Sequence, residues 1–268
     1  MIRVASYNMR KAIGTDRKRR PERTIDVLNE LDADVIALQE ADRRFGSKAS
    51  AIPLAMLDAH SDYKAVELDI RVGSIGWHGN ALLVRKRVEV LEHHLFHLPS
   101  LEPRGAVLAD VVVDGAILRC VGMHLDLSGL WRRQQARAIL SHLHDREGAP
   151  STILMGDLNE WSASGGCLRD FAAGHDFAPC GLSFHARRPI ASLDRIMVSR
   201  DLKVVDSGAQ RRSLRLDSDC LDHLGPLHPL RGDEVGELVG GHDVRLKARI
   251  RKSPARVRLF EYEGERGA

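Results

Sequence analysis

The run Ile153-Leu154-Met155-Gly156-Asp157-Leu158-Asn159-Glu160-Trp161 restricts the fold more than any other part of the chain. Its apolar start has the length of a buried strand, and Gly156 stops it. Two polar side chains of different chemistry, Asp157 and Asn159, follow with one residue between them. If extended geometry continues, alternation puts both on one face at the strand's carboxyl end. A carboxylate only accepts hydrogen bonds and a carboxamide also donates, so the pair can take a proton from water and bond a developing oxyanion. The competing reading is a plain turn, where Gly, Asp and Asn are the usual residues. The other strands decide between the two.

Residues 2 to 7 alternate as a strand that ends at Asn8, and a basic loop then runs to Pro21. Proline suits the first helical position, and Ile25, Leu28 and Leu31 supply an apolar face for a helix there. Asp34 to Leu38 is the next buried strand and ends in Gln39-Glu40. The middle of the chain changes character: Asn80 to Val84, Val88 to Leu91, Ala106 to Val113 and Ile117 to Met123 are short β-type runs, with Asp114-Gly115 a hairpin signal. After His124 a helical pattern returns, with Leu130, Ile139, Leu140 and Leu143 on one face and Ser128 as its cap. Leu193 to Val198 is a further strand, with Asp194 at its start. Strands mixed with helices, and hairpins within each half, predict an α/β sandwich of two packed sheets covered by helices.

A chain of 268 residues can bury one sizeable core. Forty Lys and Arg against 37 Asp and Glu leave an excess of only three positive charges, too small to argue for nucleic acid by itself. The charge is uneven, however: Arg10, Lys11, Arg17, Lys18, Arg19, Arg20 and Arg23 crowd the loop after Asn8, either as a solvated stretch or facing phosphate. Four cysteines without a Cys-x-x-Cys pair suggest free thiols in a reducing compartment. Met1 leads straight into a strand-like run and no apolar run nears the length of a membrane span, so a cytoplasmic protein without an integral membrane segment is expected.

Polar residues therefore stand at strand ends in a fixed order: Asn8, Glu40, His124, Asp157, Asn159 and Asp194. With their contexts Ser-Tyr-Asn-Met-Arg, Val-Ile-Ala-Leu-Gln-Glu, Gly-Met-His-Leu-Asp, Leu-Met-Gly-Asp-Leu-Asn and Leu-Asp-Arg-Ile-Met-Val, the chain resembles the endonuclease/exonuclease/phosphatase superfamily over roughly residues 2 to 200. The resemblance implies a four-layered, DNase I-like α/β sandwich of two mixed sheets flanked by helices. It also implies a phosphoric ester hydrolase using Mg²⁺, or Mn²⁺ in its place. By the same resemblance Glu40 is the main metal ligand and Asn8 orients metal or phosphate. Asp157 orients or deprotonates the attacking water, Asn159 bonds the nucleophile or the phosphoryl oxygens, and His124 lies against the scissile phosphate. Asp194 would orient a second, C-terminal histidine. Arg104 and Asn80 are candidates for gripping phosphate, Arg104 through its planar fork. The expected partner is an anionic phosphodiester, either nucleic acid or a lipid headgroup. Low aromatic content, 4%, slightly disfavours a duplex-specific enzyme. A phosphodiester repels hydroxide, so positive charge on its non-bridging oxygens and a positioned water are the two physical requirements such a set meets.

The family's closing Ser-Asp-His is altered. Asp222-His223 is the favoured equivalent, with Asp222 in the metal set and His223 catalytic; His242 beside Asp243 is the alternative, and Cys220 stands where Ser218-Asp219 would predict a histidine. A catalytic domain over residues 1–232 is expected, followed by an atypical extension, 233–268, that either completes a sheet or is partly disordered. The alternative functions are a phosphomonoesterase on a phosphorylated small molecule, or an impaired member that binds phosphorylated ligands.

Overall fold

The structure is a computed structural model and describes residues 1–14, 16–42, 49–68, 73–101, 103–145, 150–184, 190–211 and 244–252. The expected strand, helix, strand opening is present as β1 (Ile2–Asn8), α1 (Pro21–Leu31) and β2 (Val35–Gln39), with β1 and β2 parallel and Pro21 in the first turn. The short elements α2 (Leu54–His60) and β3 (Tyr63–Ala65), which carry too few residues to show a period, precede β4 (Ala81–Arg85). The hairpins follow as β5 (Glu89–His97), β6 (Gly105–Val113) and β7 (Ala116–His124), β5 extending beyond the expected Leu91 through its histidines. A second strand, helix, strand unit comprises β7, α3 (Gly129–His144) and β8 (Ser151–Asp157), again with parallel strands. The chain continues through α4 (Cys167–Ala172), β9 (His175–Phe177), β10 (Asp194–Ser199), β11 (Leu202–Arg211) and β12 (Val244–Lys252).

Two mixed six-stranded sheets result, ordered β11-β12-β1-β2-β4-β3 and β5-β6-β7-β8-β10-β9. Alternate residues of the central strands feed different cores, as strands buried on both faces must. Val4, Val35 and Ala37 meet Val107, Cys120, Ile153, Met155 and Ile196 between the sheets. Ala5, Ile36 and Leu38 turn the other way, onto Ile25, Leu28 and Leu31 of α1. Val121, Leu154 and Met197 lie against Ile139 of α3 and Leu168 and Phe171 of α4. Three cores between four layers make this a DNase I-like α/β sandwich, as expected.

One expectation changes, and of the two alternatives for residues 233–268 the described part, 244–252, adds to a sheet. The buried face of α3 is partly polar, comprising Arg132, Gln135, Ala136 and Ile139, while Leu130 is 65% exposed and Ser128 makes no side-chain cap. The apolar period mispredicts this helix because its polar side chains have partners in the loops beneath it. The strand β12 lies between β11 and β1, antiparallel to both, although it comes from the stretch beyond residue 232. Its Leu246, Ala248 and Ile250 enter the inter-sheet core while Lys247, Arg249 and Arg251 face outward. Among the described residues no helix is long and apolar enough to cross a membrane, and Cys120, Cys167 and Cys180 are free.

Candidate functional site

Strand register assembles one half of the site. In the second sheet His124 pairs with Asp157, and Asp157 pairs with Asp194, so β7, β8 and β10 present three titratable side chains side by side. Adjacent strands are about 4.8 Å apart, which sets the spacing of their side chains. The His124 Nε2 lies 3.7 Å from Asp157 Oδ2. In the first sheet Asn8 pairs with Gln39, which brings Asn8 and the following Glu40 to the same end. The Asn8 carboxamide joins the two halves, its Nδ2 lying 3.5 Å from Glu40 Oε1 and 3.2 Å from Asp157 Oδ2.

Gly156 is required where it stands. Its φ is +155°, and a Cβ there would fall 1.9 Å from the Met123 carbonyl oxygen, so only glycine lets β8 approach β7 closely enough to align Asp157 with His124. The strand ends at Asp157, and Asn159 is placed by a turn and not by strand alternation: its φ is +49° and its N–H donates to Asp157 Oδ1 at 3.0 Å. Gly-Asp-Leu-Asn is therefore a strand end followed by a turn, as the competing reading has it, with Asp157 and Asn159 still adjacent. The Asn159 Nδ2 donates to the Leu125 carbonyl at 2.9 Å, tying this turn to the loop after His124.

Arg104 lies immediately before β6, whose Gly105 pairs with His124, and its Nη1 is 2.9 and 3.0 Å from the two ring nitrogens of that imidazole. Asn80 is fully buried and its Nδ2 donates to the Gly105 carbonyl at 2.9 Å. Its Nδ2 thus anchors the backbone beside Arg104. Asp194 is buried, and the Ser183 hydroxyl accepts the backbone N–H groups of Leu193 and Asp194, each at 3.1 Å, which holds the strand start in place. Asp222, His223, His242 and Asp243 lie outside the described residues.

The Glu40 carboxyl sits below its ordinary pKa. Burial pushes it up, and the Lys11 charge and hydrogen bond, the His124 charge and the Asn8 amide together outweigh that penalty. Lys11 Nζ is bonded to Glu40 Oε2, and the Lys11 N–H donates to the Glu40 carbonyl at 3.0 Å. Arg10, Lys11 and Ala12 have φ of +46°, +56° and +61°, and Glu40 itself +52°. Each such non-glycine residue costs about 1 kcal/mol, so the turn is held by the bonds it makes to β1 and β2.

Lys11, Ser183, Arg132, Gln135 and Glu160 were not anticipated as site residues. Glu160 accepts from the Ser162 N–H at 3.0 Å and from Arg132 at 3.4 Å. Arg132 donates to the Leu127 carbonyl at 2.6 Å, and Gln135 accepts from the Asp126 N–H at 2.9 Å. The polar face of α3 therefore clamps both the loop after His124 and the loop after Asn159. The available signal was a polar pair, Arg132 and Gln135, at helical spacing inside an apolar pattern.

Oxygen donors from Glu40, with the Asn8 amide and Asp157 beside it, suit a hard divalent cation that keeps most of its waters. They do not form a closed cage: among the described residues no group of three or more His, Cys, Asp or Glu side chains is arranged to hold a metal. An ammonium, that of Lys11, already stands against Glu40 as a cation would.

Two mixed sheets with a polar cleft at their carboxyl ends define a DNase I-like α/β protein. The chain belongs to the Endonuclease/Exonuclease/phosphatase family, whose sequence profile matches residues 5–223. Solved structures agree in fold. An endonuclease/exonuclease/phosphatase from Bacteroides vulgatus aligns at 17% identity with a TM-score of 0.64, covering 94% of this chain and 99% of that one. The Bacteroides thetaiotaomicron mannosyl-6-phosphatase aligns at 18% identity and 0.66, covering 93% and 99%. D. rerio TDP2 complexed with a single-strand DNA product aligns at 16% and 0.65, covering 94% and 99%. No curated protein matches the sequence.

Proposed function

We propose that this protein is a divalent-cation-dependent phosphoric ester hydrolase acting on phosphodiesters of a nucleic acid or a lipid headgroup. The observation that carries the reading is the Asn8 carboxamide lying between Glu40 of one sheet and Asp157 of the other, with His124 beside Asp157. Mg²⁺ or Mn²⁺, held by Glu40 with Asn8 and Asp222 in its surroundings, would supply positive charge to the phosphoryl oxygens.

The chain's own groups do the rest. Asp157, oriented by two amide donors, takes a proton from the attacking water or aligns it. Asn159 bonds the water or a phosphoryl oxygen, and the adjoining His124 and Arg104 donate to the oxygens that gain charge. Asp194, locked by Ser183, orients a C-terminal imidazole, for which His223 is our assignment. The catalytic unit is taken to extend beyond the expected boundary at 232, because β12 is an interior strand of the first sheet. Free Cys120, Cys167 and Cys180 support a reducing compartment such as the cytoplasm.

A second reading, a phosphomonoesterase on a phosphorylated small molecule, is favoured by the likeness to the mannosyl-6-phosphatase. Hydrolysis of bis-p-nitrophenyl phosphate and of p-nitrophenyl phosphate, with Mg²⁺ or Mn²⁺, separates the two. The diester should turn over faster, and both Glu40→Ala and Asp157→Ala should lose about three orders of magnitude. Wild-type turnover no higher than either variant would leave only an impaired, phosphate-binding member.

A further inference from the structure

The turn after β1 places a cation of the chain's own on the carboxylate that the proposed reaction needs. Lys11 is joined to Glu40 twice, once from ammonium to carboxylate and once from backbone N–H to backbone carbonyl. The turn that carries it is also joined to β1 on the same side of the site, because the Arg10 N–H donates to Asn8 Oδ1 at 3.2 Å. Arg10, Lys11 and Ala12 are all left-handed without a glycine among them, a geometry that side chains rarely adopt in succession and that these bonds hold in place. The pair is not sealed in: the Lys11 and Glu40 side chains are 27% and 25% exposed, so a dissolved cation can reach the carboxylate and the ammonium can swing away.

We infer that Lys11 is an intramolecular competitor for the cation site, occupying Glu40 until a divalent cation displaces it. This rests on the proposed function and adds a mechanism to it. A tethered ammonium acts at a high effective concentration, and a ligand that must first displace it binds with an affinity reduced by the fraction of molecules in which Glu40 is open. Once displaced, the ammonium remains on the same turn, at the rim of a cleft built for an anionic ester. Cation loading is thereby linked to the release of a positive charge toward substrate.

The test is Mn²⁺ binding followed by isothermal titration calorimetry and by the electron paramagnetic resonance of free Mn²⁺, neither of which requires turnover. Lys11→Met should bind Mn²⁺ about ten-fold more tightly than wild type, the size expected for one charge-assisted contact. Lys11→Arg, which keeps the charge, should stay near wild type, and Glu40→Ala should lose binding. Lys11→Gln is a second neutral variant should Lys11→Met not fold. In wild type, amine acetylation followed by mass spectrometry should label Lys11 faster in the presence of Mn²⁺ than in its absence. Neutral variants that bind Mn²⁺ no more tightly than wild type overturn the competitor role, and so does labelling that Mn²⁺ leaves unchanged. If Glu40→Ala still abolishes binding in those cases, the cation site itself survives. If wild type and Glu40→Ala bind Mn²⁺ equally, the site and the competitor fall together.

Discussion

The two ends of β2 hold acids in opposite ways. At the amino end Asp34 accepts the Arg3 N–H at 2.8 Å and Arg87 Nη2 at 2.5 Å, and Arg85 Nε lies 3.9 Å away. Asp32 is bonded to Arg3 and Arg85, and Asp62 pairs with Arg85 at 2.8 Å. Three acids thus face three arginines, whose forks satisfy carboxylates geometrically. At the carboxyl end Glu40 is met by one lysine, Asp157 accepts from the amides of Asn8 and Asn159, and Arg104 lies on the His124 ring. The first arrangement stabilises the fold. The second sets carboxylates against amides and one lysine ammonium, with no carboxylate held by an arginine fork among the described contacts.

The sharpest break of this contrast is to neutralise one acid at each end. Glu40→Ala should lower turnover by about 10³-fold while leaving the urea midpoint nearly unchanged, whereas Asp34→Ala should keep turnover per folded molecule. The Asp34 variant should instead lose about 2 kcal/mol of stability in urea unfolding, chiefly because the Arg3 N–H is left without its acceptor. Equal effects of both variants on both measurements would erase the distinction.

A smaller effect is expected at Gly156. An added methyl group at 1.9 Å from the Met123 carbonyl must shift β8, so Gly156→Ala should cost about 2 kcal/mol in thermal unfolding and lower kcat through the displaced Asp157. Unchanged kcat would mean that β-register does not control the cleft.

The smallest effect concerns pH. Burial pushes the Glu160 carboxyl up, but the Ser162 and Cys167 N–H bonds and Arg132 hold it below its ordinary value of 4.5. A depressed folded-state pKa contributes stability that is fully present above 4.5 and is lost as pH falls through the folded value. Glu160→Gln should therefore flatten the acid limb of the stability–pH curve below 4.5 and leave its neutral region parallel to wild type. An unaltered acid limb would remove Glu160 from the clamp formed with α3.

Much of the cleft was legible in the chain. Apolar runs ending in Asn8, Glu40, His124 and Asp157 were readable because a strand buried on both faces is a continuous apolar run, and a polar residue after it marks the strand's end. The α1 helix was legible from Pro21 and its apolar spacing. The polar face of α3 was not, since Arg132 and Gln135 acquire buried partners only when the loops beneath them are in place. The bond from Asn80 to the Gly105 carbonyl was not legible either, because a position after a glycine says nothing about a carbonyl met from another sheet. The short α2, α4, β3 and β9 were missed for a simpler reason: three to seven residues carry less than two periods.

By itself, the amino-acid order determined the alternation of strands and helices and the polar chemistry at each strand end. Those follow from local sterics and hydrophobic periodicity, which neighbouring residues suffice to specify. Tertiary structure alone decided that Asn8 would reach both Glu40 and Asp157, that Lys11 would sit on Glu40, and that residues 244–252 would lie between β11 and β1. These contacts join residues from 29 positions apart, Lys11 and Glu40, to 248 apart, Ile2 and Ile250, and strand pairing within one sheet together with the packing of one sheet on the other brings them within bonding distance.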